Sequence, residues 1–254
     1  MSLNETYSPM KLDLSSFSPR MEKLWPHRQN DRFAIGVSGG SDSLALAVLC
    51  KAWLANREAS FEALVVDHGL REESQAEATS TVKKLKSLGI QALVLTTNAK
   101  AYKGSFQLKA RQARFDALTD YCNQHSIRQL LLGHNLDDQI ETFLLRLESG
   151  SQLMGLAAMP AIAAQLPDLS LWRPLLPFPK PETANFLRTQ GLDWIEDPSN
   201  EKTVNSRIWF RQNRDRLENE GISSKAIAKL VDSLGGWRGV QQNTVNDFVA
   251  EEAE

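Results

Sequence analysis

Short apolar runs alternate along the chain with longer stretches in which apolar residues recur at helical spacing. Phe33 to Val37 precedes Leu44 to Leu54, Phe61 to Val66 precedes Glu73 to Leu88, and Ala92 to Leu95 precedes Phe106 to Tyr121. A short unbroken apolar run suits a strand covered on both faces, and a period near 3.6 suits a helix burying one stripe. A fourth pair, Gln129 to Gly133 and Leu136 to Glu148, completes the rhythm. It predicts βαβ units, and therefore an α/β fold with a parallel sheet flanked by helices. Ligands of such sheets sit beyond the carboxyl ends of the strands. Three of those ends are followed by VSGGSDS, VVDHGL and LLGHNLDD, so polar side chains are expected to converge on one rim.

The pattern changes after Glu148. Ser149 to Pro181 hold six of the ten prolines, which favours turns and extended segments over regular helix. Pro181 to Gln190 can restart a helix that Gly191 ends. From Asn205 onward the chain reads as helical and charged, without strands. The expected organisation is a main domain over residues 1–214 and a small helical C-terminal appendage over 215–254 packed on it.

Charge and cysteine content narrow the function classes. A formal net charge of -2 excludes a uniformly basic nucleic-acid coat but leaves room for a local basic stripe. Only two cysteines occur, Cys50 and Cys122, outside any C-x-x-C spacing. That argues against a disulfide framework, an iron–sulfur centre and a structural zinc site, and points to a reducing, cytoplasmic setting. The start, MSLNETYSPM, has no apolar signal core, and Leu44 to Ala55 is interrupted by Lys51, so no membrane span is expected.

The stretch SGGSDS fills the turn between a strand ending at Val37 and a helix beginning at Ser43. Gly39 and Gly40 permit close backbone approach, so successive N–H groups of Ser38, Gly39, Gly40, Ser41 and Ser43 can form an anion nest at a helix N-terminus. A Walker loop would carry a lysine that reaches the terminal phosphates. Here the loop carries an acid, Asp42, which implies a bridging Mg²⁺ beside a pyrophosphate. The plainer reading is a helix cap by Ser41 or Asp42. A second cluster, Gly133-His134-Asn135-Leu136-Asp137-Asp138-Gln139-Ile140-Glu141-Thr142, shifts the balance, because two adjacent carboxylates repel unless a cation intervenes.

SGGSDS after a hydrophobic strand resembles the loop of the N-type ATP pyrophosphatases (PP-loop superfamily), whose adenine-nucleotide alpha-hydrolase-like, Rossmann-like fold matches the βαβ rhythm. DHGL at Asp67, ARQAR at Ala110, GHNLDDQIET, Gly155-Leu156, RPLL at Arg173 and WIEDPSN at Trp194 resemble the tRNA(Ile)-lysidine synthetase family within them. The likeness spans roughly Phe33 to Arg211. It implies ATP-dependent adenylation of the wobble cytidine of tRNA(Ile) with a CAU anticodon at its C2 oxygen. Free L-lysine then displaces AMP, and the product is lysidine.

The resemblance supplies candidate roles. The phosphate nest is Ser38, Gly39, Gly40, Ser41, Asp42 and Ser43, with His68, Arg111 and Arg114 as further ATP contacts and Asp42 and Asp138 on the Mg²⁺ side. Free lysine is mostly protonated near neutral pH, so the amine step needs a proton acceptor. His134 and Asp137 are the candidates. Asn135, Glu141, Arg173, Arg207 and Arg211 are expected on the lysine or tRNA side, within or near a basic run from Lys202 to Arg216. Gln107 stands where the family commonly has glutamate. A homodimer is one assembly the family uses. Two other readings stay open: a sister adenylating enzyme (tRNA thiolase, NAD or GMP synthetase), and a nucleotide-responsive RNA-binding module without catalysis.

Overall fold

Side chains of the first strand alternate between two cores, and this alternation sets the frame for the site. In the computed structural model, which describes residues 10–25, 31–67, 69, 74–97, 102–103, 105–195, 219–220 and 223–252, β1 (Asp31–Val37) sends Phe33, Ile35 and Val37 to one core and Ala34 to the other. β4 (Gln129–Leu132) does the same, with Leu131 in the first core and Leu130 and Leu132 in the second. Strands buried on both faces are the signature of a parallel sheet covered by helices.

The remaining strands are β2 (Ala59–Asp67), β3 (Ala92–Thr96), β5 (Ile162–Leu166) and β6 (Leu169–Trp172). Their order is β3-β2-β1-β4-β6-β5, parallel throughout except for β5, which runs antiparallel to β6. The helices α1 (Leu14–Leu24), α2 (Ser41–Leu54), α3 (Ser74–Ser87) and α7 (Lys180–Thr189) contribute to the first core. α4 (Phe106–Gln124) closes the second through Leu118 and Cys122. The α/β fold with a mostly parallel sheet is therefore the one expected.

Two features differ from the sequence reading. α1 was not anticipated. Its start is set by a capping box, in which Asp13 Oδ1 accepts from the Ser16 N–H at 3.0 Å and Ser16 Oγ accepts from the Asp13 N–H at 3.1 Å. The proline-rich stretch contains the β5–β6 hairpin, and β6 pairs with β4. Pro160, Pro167 and Pro174 stand outside both strand spans, so none removes a donor from the ladder.

The chain falls into two compact units. Among the described residues, one holds the sheet with α1 to α4 and α7, running through Asn135 and resuming at Ala161. The other holds α5 (Leu136–Glu148), the single turn α6 (Leu153–Leu156) and α8 (Ser224–Glu252). The expected boundary between residues 214 and 215 lies outside the described residues, and α5 and α8 share one unit. The cause is apolar pairing: Ile140 and Phe143 of α5 share a core with Ile227 and Val231 of α8. No helix among the described residues is long and apolar enough to cross a membrane.

Candidate active site at the carboxyl edge of the sheet

The strand order reverses direction at β1: β2 and β3 lie to one side, β4 and β6 to the other. A crevice for ligands opens at such a switch point, beyond the carboxyl ends of the flanking strands. SGGSDS follows β1 there, and Gly133, His134 and Asn135 follow β4.

The loop is built for a tight turn, and the Ser38 N–H, expected in the anion nest, is taken up within it by Ser43 Oγ. Gly39 has φ +86°, and a Cβ there would lie 2.8 Å from Thr81 Oγ1 and 3.1 Å from Ile195 Cδ1. Only glycine satisfies both constraints. The Ile195 N–H donates to the Gly39 carbonyl at 3.0 Å, which pins the turn from outside. Inside it, Ser43 Oγ accepts from the Ser38 N–H at 3.1 Å and donates to the Gly40 carbonyl at 3.2 Å. Ser41 and Ser43 are buried.

Helix α2 begins at Ser41, two residues earlier than the sequence suggested. Its N-cap is Gly40, with no side-chain capping bond, so the plainer reading of Ser41 or Asp42 as cap does not hold. The first-turn N–H groups of a helix need partners, and a phosphate oxygen is a suitable one. Asp42 instead turns to α7: Thr183 Oγ1, fully buried, donates to Asp42 Oδ1 at 2.6 Å and lies 2.7 Å from the Lys180 carbonyl oxygen.

From β4, Gly133 meets the loop at close range. A Cβ at Gly133 would lie 2.9 Å from Ser43 N and 3.0 Å from the Asp42 carbonyl carbon. Two loops from neighbouring strands thus touch backbone to backbone. Asn135 is buried and His134 half-buried beside it. Arg173 is buried just past the end of β6, on the same edge of the sheet, its N–H donating to the Ala161 carbonyl at 2.9 Å. At the end of β2, Asp67 Oδ1 accepts from the Gly69 N–H at 3.0 Å and from Ser74 Oγ, so this carboxylate shapes its own turn.

Asp137 and Asp138 both stand in the first turn of α5, where acids favour the helix dipole, and Glu141 is buried one turn further on. These three belong to the other compact unit. Arg111 is exposed and Arg114 half-buried on α4; burial, and then the neighbouring Arg111 charge, lower the Arg114 pKa. His68, Arg207, Arg211 and the Lys202 to Arg216 run lie outside the described residues. Both cysteines are buried. Burial pushes the Cys50 thiol far up, and burial and then Glu62 push Cys122 up to about 12, so both stay protonated at neutral pH.

No group of three or more His, Cys, Asp or Glu that could hold a metal occurs among the described residues. Asp42 offers one carboxylate in the first turn of α2. That donor set suits Mg²⁺ carried in with nucleotide phosphates and water, and not an all-protein cage.

A parallel sheet with a glycine loop and an uncapped helix N-terminus at its switch point defines a nucleotide-binding α/β domain. The chain belongs to the PP-loop domain family, an ATP-binding family whose model matches residues 14–215. Curated relatives similar to it include the tRNA(Ile)-lysidine synthase of Wolbachia pipientis wMel, 38% identical over 200 residues, covering 78% of this chain and 46% of the relative. That of Hyphomonas neptunium is 39% identical over 216 residues, covering 83% and 57%. The chain spans about half the length of the curated relatives it matches. Among solved structures, a U34-tRNA thiolase from Methanococcus maripaludis shares the fold, with TM-score 0.72, 19% identity and coverage of 88% of this chain and 78% of that one.

Sequence reasoning missed Thr183, Thr81 and Ile195, which fix the loop from three other segments. Nothing local marks them, since each acts across a long sequence separation. Gly133 was seen as part of a cluster but not as a spacer.

Proposed function

We propose that this chain carries the catalytic centre of an ATP-dependent ligase joining free lysine to C2 of the wobble cytidine of tRNA(Ile) with a CAU anticodon. The observation that carries the reading is the close approach of Gly133 to Ser43, which sets the lysine-free SGGSDS loop beside the GHN segment. Relatives named tRNA(Ile)-lysidine synthase support the choice of substrate.

In the first step the cytidine C2 oxygen attacks the α-phosphorus of ATP and pyrophosphate leaves. The N–H groups of the loop and of the first turn of α2 hold the pyrophosphate oxygens, and Arg111 and Arg114 add positive charge. Asp42 and Asp138 would hold Mg²⁺, which screens the phosphate charge when bound. Thr183 keeps the Asp42 carboxylate in one rotamer. In the second step the lysine side-chain amine attacks C2 and AMP departs. His134 or Asp137 takes the amine proton, and Glu141, Asn135, Arg173, Arg207 and Arg211 receive lysine or tRNA. A cytoplasmic setting, where tRNA, ATP and free lysine coexist, and a homodimer complete the reading.

The test is to incubate the protein with unmodified tRNA(Ile) bearing CAU, Mg·ATP and isotopically labelled lysine, and to measure label retained on the RNA. Retention that depends on ATP and on the wobble cytidine is expected. Pyrophosphate release without label would point to a sister adenylating activity.

A further inference from the structure

Within the unit formed by α5, α6 and α8, two arginines meet on one backbone oxygen. Arg146, in the last turn of α5, and Arg238, on α8, both donate through Nη1 to the Ala158 carbonyl, at 3.1 and 2.9 Å. Arg146 also donates to the Gly155 carbonyl. Arg238 continues the inward face of α8, one turn beyond the partly buried Leu234 and the buried Val231.

A carbonyl carries only a partial charge, so this meeting point leaves two full positive charges under-neutralised. Neither guanidinium has a carboxylate partner among the described residues. Burial and then the Arg146 charge lower the Arg238 pKa, so the two cations sense one another. Each guanidinium has five N–H donors, and the carbonyls use only one or two of them. Two convergent forks with spare donors suit a tetrahedral oxyanion. The surroundings favour a phosphate that is part of RNA over a free ion. Trp237, the residue before Arg238 on α8, is 63% exposed, so an indole face on the same helix is open to a base.

We propose that Arg146 and Arg238 bind a backbone phosphate of the RNA substrate, with Trp237 on the same helix as Arg238 as a base platform. This rests on the reading of tRNA as substrate, but not on the lysine step. It also explains how a chain of net charge -2 can hold RNA: through local charge and not an overall basic surface.

The test is binding of an unmodified tRNA transcript by wild type, Arg238→Gln and Arg238→Lys across a KCl series. Arg238→Gln is expected to lower the slope of log affinity against log salt by about one, and Arg238→Lys to keep most of it. Trp237→Ala, a surface change, is expected to weaken binding at least about 5-fold with the slope retained. An unchanged slope in Arg238→Gln with a wild-type melting curve overturns the inference. If Arg238→Gln melts far below wild type, Trp237→Ala decides, and undiminished binding overturns it. Absence of tRNA binding by wild type overturns both this and the substrate reading. Binding without labelled-lysine transfer overturns only the ligase reading.

Discussion

Thr183 Oγ1 donates to Asp42 Oδ1 at 2.6 Å across 141 residues of sequence. The bond ties the acid of the phosphate loop to α7, and it does so from a threonine with no exposed surface. A buried donor to a carboxylate restricts its rotamer and position, and a hydrogen bond to a charged group is among the stronger ones. Under the proposed function Thr183 is a positioning residue that acts through Asp42.

Replacing Thr183 by Val preserves shape and removes the donor. A hydrogen bond to a charged group contributes about 1.5–3 kcal/mol, so Thr183→Val is expected to lose roughly 10-fold or more in pyrophosphate release and several degrees in Tm. Thr183→Ser, which keeps the hydroxyl, is expected to restore most of the turnover. Equal losses in the two variants would mean that packing, and not the Asp42 bond, matters here.

Charge at Asp42 can be separated from its hydrogen bond. The side-chain carbonyl of Asp42→Asn can still accept from Thr183, so the fold is expected to persist while pyrophosphate release falls below detection and tRNA binding is largely spared. Undiminished turnover would remove Asp42 from the metal side of the reaction.

Gly133→Ala places a methyl 2.9 Å from Ser43 N, closer than carbon can approach backbone nitrogen. The phosphate loop must shift. At least a 10-fold rise in the ATP dissociation constant is expected, read by isothermal calorimetry, with far-UV circular dichroism close to wild type. Tight ATP binding by this variant would show that the loop tolerates displacement.

At the other end of the sheet, Tyr121 donates to Glu62 Oε2 at 2.8 Å, and Glu62 also pairs with Arg32. Burial first, then the Glu62 hydrogen bond, push the Tyr121 pKa from 10.0 up to about 12. A phenol whose pKa is raised by folding keeps its full stabilising contribution below pH about 10 and loses it as pH rises toward 12. Denaturant melts are expected to show wild type losing stability across that window more steeply than Tyr121→Phe. Parallel curves would refute the assignment.

Much of this protein was legible in order of sequence. The strand and helix alternation from Asp31 to Glu148 followed from periodicity, since a strand covered on both faces must be apolar throughout and a covering helix must be amphipathic. Ser38 to Ser43 could be singled out because a second acid-bearing cluster, Gly133 to Thr142, follows another strand, which tipped the reading of the loop from a helix cap to an anion site. The β5–β6 hairpin was hidden by its flanking prolines, which look the same in sequence whether they interrupt a strand or bound it.

What the sequence by itself determined was local: the strand and helix alternation from Asp31 to Glu148, with the glycine turn of the SGGSDS loop between β1 and α2. Tertiary structure alone decided what holds that loop in place. Gly39 against Thr81 and Ile195, Gly133 against Ser43, and Asp42 against Thr183 are contacts between segments far apart in the chain. It also decided that α5 shares its core with α8. The physical reason is one of range. Periodicity and turn chemistry are set by neighbours within a few residues, whereas steric closeness and a buried hydrogen bond exist only once the sheet has brought distant segments together.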